Sequence, residues 1–182
     1  MKAKSLSEFF IQQLQDLYDA ENQLIKALPK MAEAASSAEL RNAFEEHLEQ
    51  TRNQATRLEQ VFEIVSDKAK KADCKGMQGL IKEGNEMIKS DSEPEVRDVA
   101  LIAAAQRVEH YEIAGYGCVR TYARLLGYGD AESLLQQTLE EEKEADQKLN
   151  DIAENLNVEA ARGEAVGPAS TKAGRGREEP AA

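Results

Sequence analysis

Four stretches of this 182-residue chain repeat an apolar residue every three or four positions, and polar side chains break each repeat near its middle. The first stripe reads Phe10, Leu14, Leu17, Glu21, Leu24, Leu28, Met31, and the second Leu40, Phe44, His47, Thr51, Gln54, Leu58, Val61, Val65. The third reads Ile102, Ala105, Glu109, Glu112, Tyr116, Val119, Ala123. The fourth reads Leu135, Thr138, Glu142, Ala145, Leu149, Ile152, Leu156, with Asp146 on the same face one turn after Glu142. This spacing lays one stripe along one side of an α-helix, and an apolar stripe must be buried against a neighbouring element. The expected fold is therefore all-α, with four long helices around a core that turns polar halfway along. Sparse Val and Thr, no Trp, and abundant Ala, Leu, Glu, Lys and Gln are the composition that helices favour.

Three S-x-x-E capping boxes, Ser5 to Glu8, Ser36 to Glu39 and Ser92 to Glu95, mark helix starts. A fourth start is expected at Asp130, where Gly127 and Gly129 can close the preceding helix in left-handed conformations. The helices then lie near 6–35, 37–67, 93–126 and 130–157, with Pro29 kinking the first rather than ending it. The first and last connections are a few residues long, so each pair forms an antiparallel hairpin. The middle connection, roughly 68–92, contains a weaker helical segment, MQGLIKEGNEMI. It is long enough to travel the length of a bundle and set the third helix parallel to the second. Two hairpins joined by one such crossover make a ferritin-like four-helix bundle. That domain is expected over residues 1–161, and residues 162–182, rich in Gly, Pro, Ala and charge without periodicity, read as a disordered tail.

The polar middles fall at one level. Counting outward from a turn near residue 36, Glu21 faces the region of His47, Thr51 and Gln54. Counting from a turn near 128, Glu112 faces the region of Glu142 and Asp146. Glu21, Glu109, Glu112 and Glu142 would then bring about four negative charges together. Burying one unpaired carboxylate costs several kcal/mol, and mutual repulsion adds to it. No stripe offers a Lys, and Arg120 lies beyond the layer. Two divalent cations would cancel the charge and use the carboxylates as bridging and terminal ligands; protonation relieves only part of it. Glu21, Glu109, Glu112 and Glu142 are the leading metal ligands, each weighed against a structural polar residue. His47 and Asp146 are ligand candidates too, and Gln54 is better suited to support a ligand by hydrogen bonding. His110 points off the stripe. Tyr18 and Tyr116 lie one turn from Glu21 and Glu112, where they either bond a ligand or fill the core. Glu140, Glu141 and Glu144 read as a solvated face.

Charge excludes some functions. Lys and Arg number 23 against 34 Asp and Glu, a formal charge of −11, which is poorly suited to nucleic acid. No basic amphipathic stretch, signal peptide or apolar run of about 20 residues points to a membrane. Cys74 and Cys118 are far apart and outside any CxxC, as expected of reduced thiols in a cytoplasmic protein.

The stretches DLYDAENQLIKALPKMA, FEEHLEQT, GLIKEGNEMI, VRDVALIAAAQRVEHYEIAGYG and LEEEKEADQKL resemble the YciF-like bacterial stress proteins of the ferritin-like superfamily, over about residues 5–160. The resemblance implies a four-helix bundle, a dinuclear metal centre and a link to stress responses. Rubrerythrin, a looser relative, also carries a Glu-x-x-Glu pair on its third helix, as Glu109 and Glu112 do here. Bacterioferritin and rubrerythrin use Glu-x-x-His on the second and fourth helices, and this chain has it on neither, which leaves room for manganese or a single metal as well as two Fe ions. The chain is thus expected to be a homodimeric metal protein reacting with peroxide or oxygen, or else a non-enzymatic stress-response scaffold whose metal only stabilises the bundle. A hollow iron-storing or DNA-protecting shell is the less economical reading.

Overall fold

A computed structural model describes residues 3–70 and 72–163. The described residues are all-α, with α1 over Leu6–Ala34, α2 over Ala38–Ile64, α3 over Lys75–Ile88, α4 over Pro94–Leu125 and α5 over Gly129–Gly163. Contacts run from α1 to α2, α2 to α5, α5 to α4 and α4 back to α1, so the four long helices close a ring, while α3 packs on α1 and α4.

The directions of the helices follow from specific pairs. Glu46 pairs with Lys148 and Arg57 with Glu141, so α2 and α5 are antiparallel. Phe9 packs on Tyr122 at one end of α1, and Asp98 bonds the amides of Ser36 and Ser37 just past its other end, so α1 and α4 are antiparallel as well. The short turn at residues 35–37 makes α1 antiparallel to α2. Helices α2 and α4 therefore run the same way, and the segment between them, carrying α3, is a true crossover.

The boundaries partly follow the capping boxes. Ser5 Oγ accepts from the Glu8 amide at 3.1 Å, and Glu8 Oε2 accepts from the Lys4 amide at 2.7 Å, a box whose return arm reaches one residue further back than expected. The second box is displaced: Ser37, not Ser36, caps α2, its Oγ accepting from the Leu40 amide at 3.4 Å. Asp98 takes the Ser36 amide at 2.8 Å and the Ser37 amide at 2.7 Å, a cap supplied from another helix. The third box does not form. Pro94, whose ring presets a helical φ, takes the first helical position, Glu93 becomes the cap residue, and Ser92 bonds Ser90 instead. Of the two glycines, Gly127 is left-handed, at φ 81, while Gly129 already belongs to α5. Helix α1 continues through Pro29. Helix α5 runs beyond the expected end near 157 because Val158–Arg162 hold no helix breaker. The tail expected from residue 162 lies, from 164 onward, outside the described residues.

The stripes are buried as their spacing requires, and the core they form is split in two. One apolar cluster gathers Phe10, Leu14, Leu58, Phe62, Val119 and Leu135. The other gathers Leu24, Leu28, Leu40, Phe44, Leu101 and Ile152, and adds Cys74 and Met77 from the crossover. Between them lies a layer of buried polar residues: Glu21, His47, Thr51, Gln54, Glu109, Glu112, Thr138 and Glu142.

Candidate metal centre

Each helix sends polar groups into the layer from the middle of its buried stripe. Helical spacing fixes their direction: Glu21 lies four residues after Leu17 and three before Leu24, and Glu142 three after Leu139 and seven before Leu149, all buried. His47, Glu109, Glu112 and Glu142 each offer a ligand atom within 4.8 Å of the others. His47 Nε2 is 3.4 Å from Glu109 Oε1 and 4.0 Å from Glu142 Oε2. On the far side of the ring, His47 Nδ1 lies 3.3 Å from Gln50 Oε1. With that oxygen as acceptor the ring proton sits on Nδ1, and the Nε2 lone pair faces carboxylate oxygens.

Glu21 is fully buried beside this group, and the Tyr116 hydroxyl donates to its Oε1. Its Oε2 has no hydrogen-bond partner, nor have His47 Nε2, Glu109 Oε2 and both carboxyl oxygens of Glu112 and of Glu142. Buried polar atoms are ordinarily paired, so seven orphans converging on one layer are what a set of cation ligands leaves when its atoms are counted alone.

The electrostatics point the same way. Burial raises the Glu21, Glu112 and Glu142 carboxyls well above their ordinary range, and their mutual repulsion adds to it. Glu109 is pushed up to about 8, chiefly by burial. The Tyr116 hydrogen bond and the Arg57 charge pull Glu21 partly back, and His47 does so for Glu142.

The remaining candidates sit around this group. Asp146 is half-buried at the rim, its Oδ1 3.4 Å from Nε2 of the exposed His110. Gln54 donates through Nε2 to Glu141 Oε2 at 3.2 Å and turns its Oε1 into the interior without a partner. Thr51 spends its hydroxyl on the His47 carbonyl of its own helix at 2.8 Å. Tyr18 bonds Glu59 at 2.6 Å rather than any group in the layer, whereas Tyr116 does reach Glu21.

Arg57 escaped the sequence reading, and Glu141 was misread by it. Arg57 Nη1 and Nη2 each donate to Glu141 at 2.8 Å, and Nη1 also donates to Thr138 Oγ1 at 2.6 Å. Glu141 is therefore held in an ion pair and is not part of a solvated face, although Glu140 and Glu144 are exposed. The usable signal was Arg57's place one turn beyond Gln54, because an arginine stem can carry charge from a flanking position to a buried layer.

Residues 5–162 match the family model described as "Domain of unknown function (DUF892)". Over 162 residues the chain is 52% identical to Protein YciF of Escherichia coli (strain K12), which covers 88% of this chain and 98% of that protein. The crystal structure of the E. coli stress protein YciF aligns with a TM-score of 0.84 at 51% identity, over 86% of this chain and 99% of that one. YcfI from Rhodopseudomonas palustris aligns at 0.79 and 41% identity, over 81% and 94%. A protein from Xanthomonas campestris, at 0.70 and 21% identity over 88% and 99%, shares the fold.

Proposed function

The chain belongs to the DUF892 family, and from that membership we propose that it is a ferritin-like stress-response protein whose acidic layer binds a carboxylate-bridged dinuclear metal centre, of two Fe ions or alternatively Mn. One observation carries the reading: the buried His47 Nε2 has no hydrogen-bond partner and faces carboxylate oxygens of Glu109 and Glu142 at 3.4 and 4.0 Å. Acceptors directed at one another repel unless a proton or a cation lies among them, and one proton cannot satisfy all of them. His47, Glu109, Glu112 and Glu142 form the first ligand set, and the unpartnered Oε2 of Glu21 extends it toward a second ion. One imidazole among carboxylates suits Fe(II) or Mn(II) better than a thiophilic metal. Such a centre, when bound, supplies redox chemistry toward peroxide or oxygen.

The protein's own groups prepare that site. Gln50 Oε1 is placed to accept a proton from His47 Nδ1, and Tyr116 orients Glu21 by donating to Oε1. Asp146 lies close enough to Glu109 to raise its pKa, which suits an outer ligand or a support. Gln54 links the layer to the Arg57–Glu141 pair. The test is elemental analysis of the wild type, Glu21→Ala and Glu112→Ala after anaerobic Fe(II) or Mn(II) loading. About two metals per chain, lost in both variants, is the expected result; no metal retained in the wild type overturns the reading.

The absence of Glu-x-x-His on α2 and α5 favours a second reading, in which the protein is a scaffold and its layer is structural. A carboxyl with a pKa near 8 can remain a neutral hydrogen-bonding acid at physiological pH. This reading predicts a metal-dependent rise in melting temperature without peroxide consumption, or no metal at all. Under either reading we infer a cytoplasmic location from the two free thiols and, as the assembly more economical than a shell, a homodimer; the formal charge of −11 suits neither nucleic acid nor membrane. No helix among the described residues is long and apolar enough to cross a membrane. Sedimentation at the mass of two chains is expected, and a particle of about 12 or 24 subunits, the size of ferritin-like shells, would replace the dimer.

A further inference from the structure

The acidic layer is closed above and below by apolar clusters, yet one side of it reaches solvent. A cavity of about 150 Å³ lies between α2 and α5, with His47 and Glu109 among its lining residues and Ala43, Ala145 and Leu149 as apolar wall. That is room for several waters, and so for a partly hydrated ion. Its outer rim consists of the exposed Glu46, Glu144 and Lys148, and the Lys148 ammonium is paired with Glu46 across the gap between the two helices.

We propose that this cavity is the route by which a divalent cation reaches the layer, with the Lys148–Glu46 ion pair as a releasable bar across its mouth. The proposal rests on the metal-binding reading given above and adds to it a path and a control point. Two features of the cavity converge here. The rim is anionic once Lys148 swings away, which raises the local concentration of cations. The inner wall presents His47, 7% exposed, whose Nε2 has no hydrogen-bond partner, and next to it the unpartnered Oε2 of Glu109. An ion entering between Glu46 and Glu144 exchanges waters for carboxylate oxygens and meets the imidazole before the deeper Glu112 and Glu142. Lys148 and Glu46 are both surface side chains, 47% and 66% exposed, so their pair is weak and opens readily.

The test follows uptake of Co(II) alone by the metal-free full-length protein. Stopped-flow absorbance of the ion's visible bands gives the rate, and equilibrium dialysis with elemental analysis gives the final occupancy. Ala145→Leu narrows the cavity and is expected to slow uptake at least tenfold with occupancy unchanged. Lys148→Glu removes the bar, adds a carboxylate at the exposed rim where folding is not at risk, and is expected to speed uptake severalfold, less so at high salt. Slowing in the first or acceleration in the second at wild-type occupancy supports the route. If both rates stay within twofold of wild type while occupancy is normal, the route is wrong and the metal site stands. If the wild type takes up no Co(II), the site itself is wrong and the route falls with it.

Discussion

Arg57 grips Glu141 with two parallel N–H···O bonds of 2.8 Å, at the edge of a layer that holds four other carboxyls. The same guanidinium donates to Thr138 Oγ1 at 2.6 Å and draws the Glu21 carboxyl toward its charged form. Its charge is thereby committed to Glu141, and the four glutamates of the layer are left without a cation of their own. Removing one partner of a buried ion pair costs about 3–5 kcal/mol. Here Glu141 keeps 23% side-chain exposure, which lowers the expectation for Arg57→Ala to about 2 kcal/mol. Urea unfolding of the metal-free protein measures it, and adding Glu141→Ala should recover part of the loss because the orphaned charge is gone. A change below about 0.5 kcal/mol would place the pair among ordinary surface contacts.

What the sequence revealed, and what it did not, divides along one physical line. Helical spacing reports where a Cα lies, so Glu21, Glu109, Glu112 and Glu142 were legible as buried from position alone, and each is. It does not report how far a long side chain reaches. Arg57 and Glu141 sit on flanking positions and meet between α2 and α5, which makes them look solvated in a stripe diagram. The helix starts divide in the same way. Ser5 caps by a local rule, whereas the start of α2 is set by Asp98 from a helix some 60 residues later, a tertiary bond that no local motif encodes. At α4 two local rules competed, and the fixed φ of Pro94 prevailed over the Ser92 box.

Tyr116→Phe deletes the single hydroxyl that donates to Glu21 and leaves both of that residue's oxygens unpaired in a fully buried position. Stranding one buried acceptor costs about 1–3 kcal/mol. If Glu21 is a ligand, loss of the group that orients it should also weaken metal binding by about 10- to 100-fold. Thermal unfolding of the stripped protein reads the first effect and a metal titration reads the second. Destabilisation with unaltered affinity would make Tyr116 a packing residue and remove Glu21 from the ligand set.

Asp98→Ala strips two amides, those of Ser36 and Ser37, of their shared carboxylate and releases the start of α4 from the turn between α1 and α2. Caps are worth about 0.5–2 kcal/mol and hydrogen bonds to a charged group about 1.5–3, so a loss of about 2–3 kcal/mol is expected. Asp98 is nearly fully buried, and water cannot readily take its place. Asp98→Asn should retain roughly half, since its carbonyl oxygen still accepts one bond. The change should leave metal stoichiometry intact, because Asp98 lies at the end of the bundle and not in the layer. Elemental analysis alongside urea unfolding separates the two effects.

The raised carboxyls determine how the metal-free protein should respond to pH. In the unfolded chain Glu21, Glu109, Glu112 and Glu142 titrate near 4.5; in the fold all four are raised, Glu109 to about 8. Between those values the native state holds more protons than the unfolded one, so stability falls as pH rises. The contribution is complete below about 4.5 and is lost progressively as pH climbs through about 8. Bound divalent metal acts in the opposite direction, since ligation requires the deprotonated carboxylates, and metal binding strengthens with pH. The melting temperature of stripped protein should therefore drop from pH 5 to 8, while the gap between loaded and stripped protein widens. Other groups titrate over this range, so the decisive comparison is with Glu109→Gln, which removes one raised proton site. In that window the wild type should lose about 1.4 kcal/mol per pH unit more than the variant. Equal slopes in urea unfolding would mean that Glu109 is already charged in the metal-free fold and contributes nothing to its pH dependence.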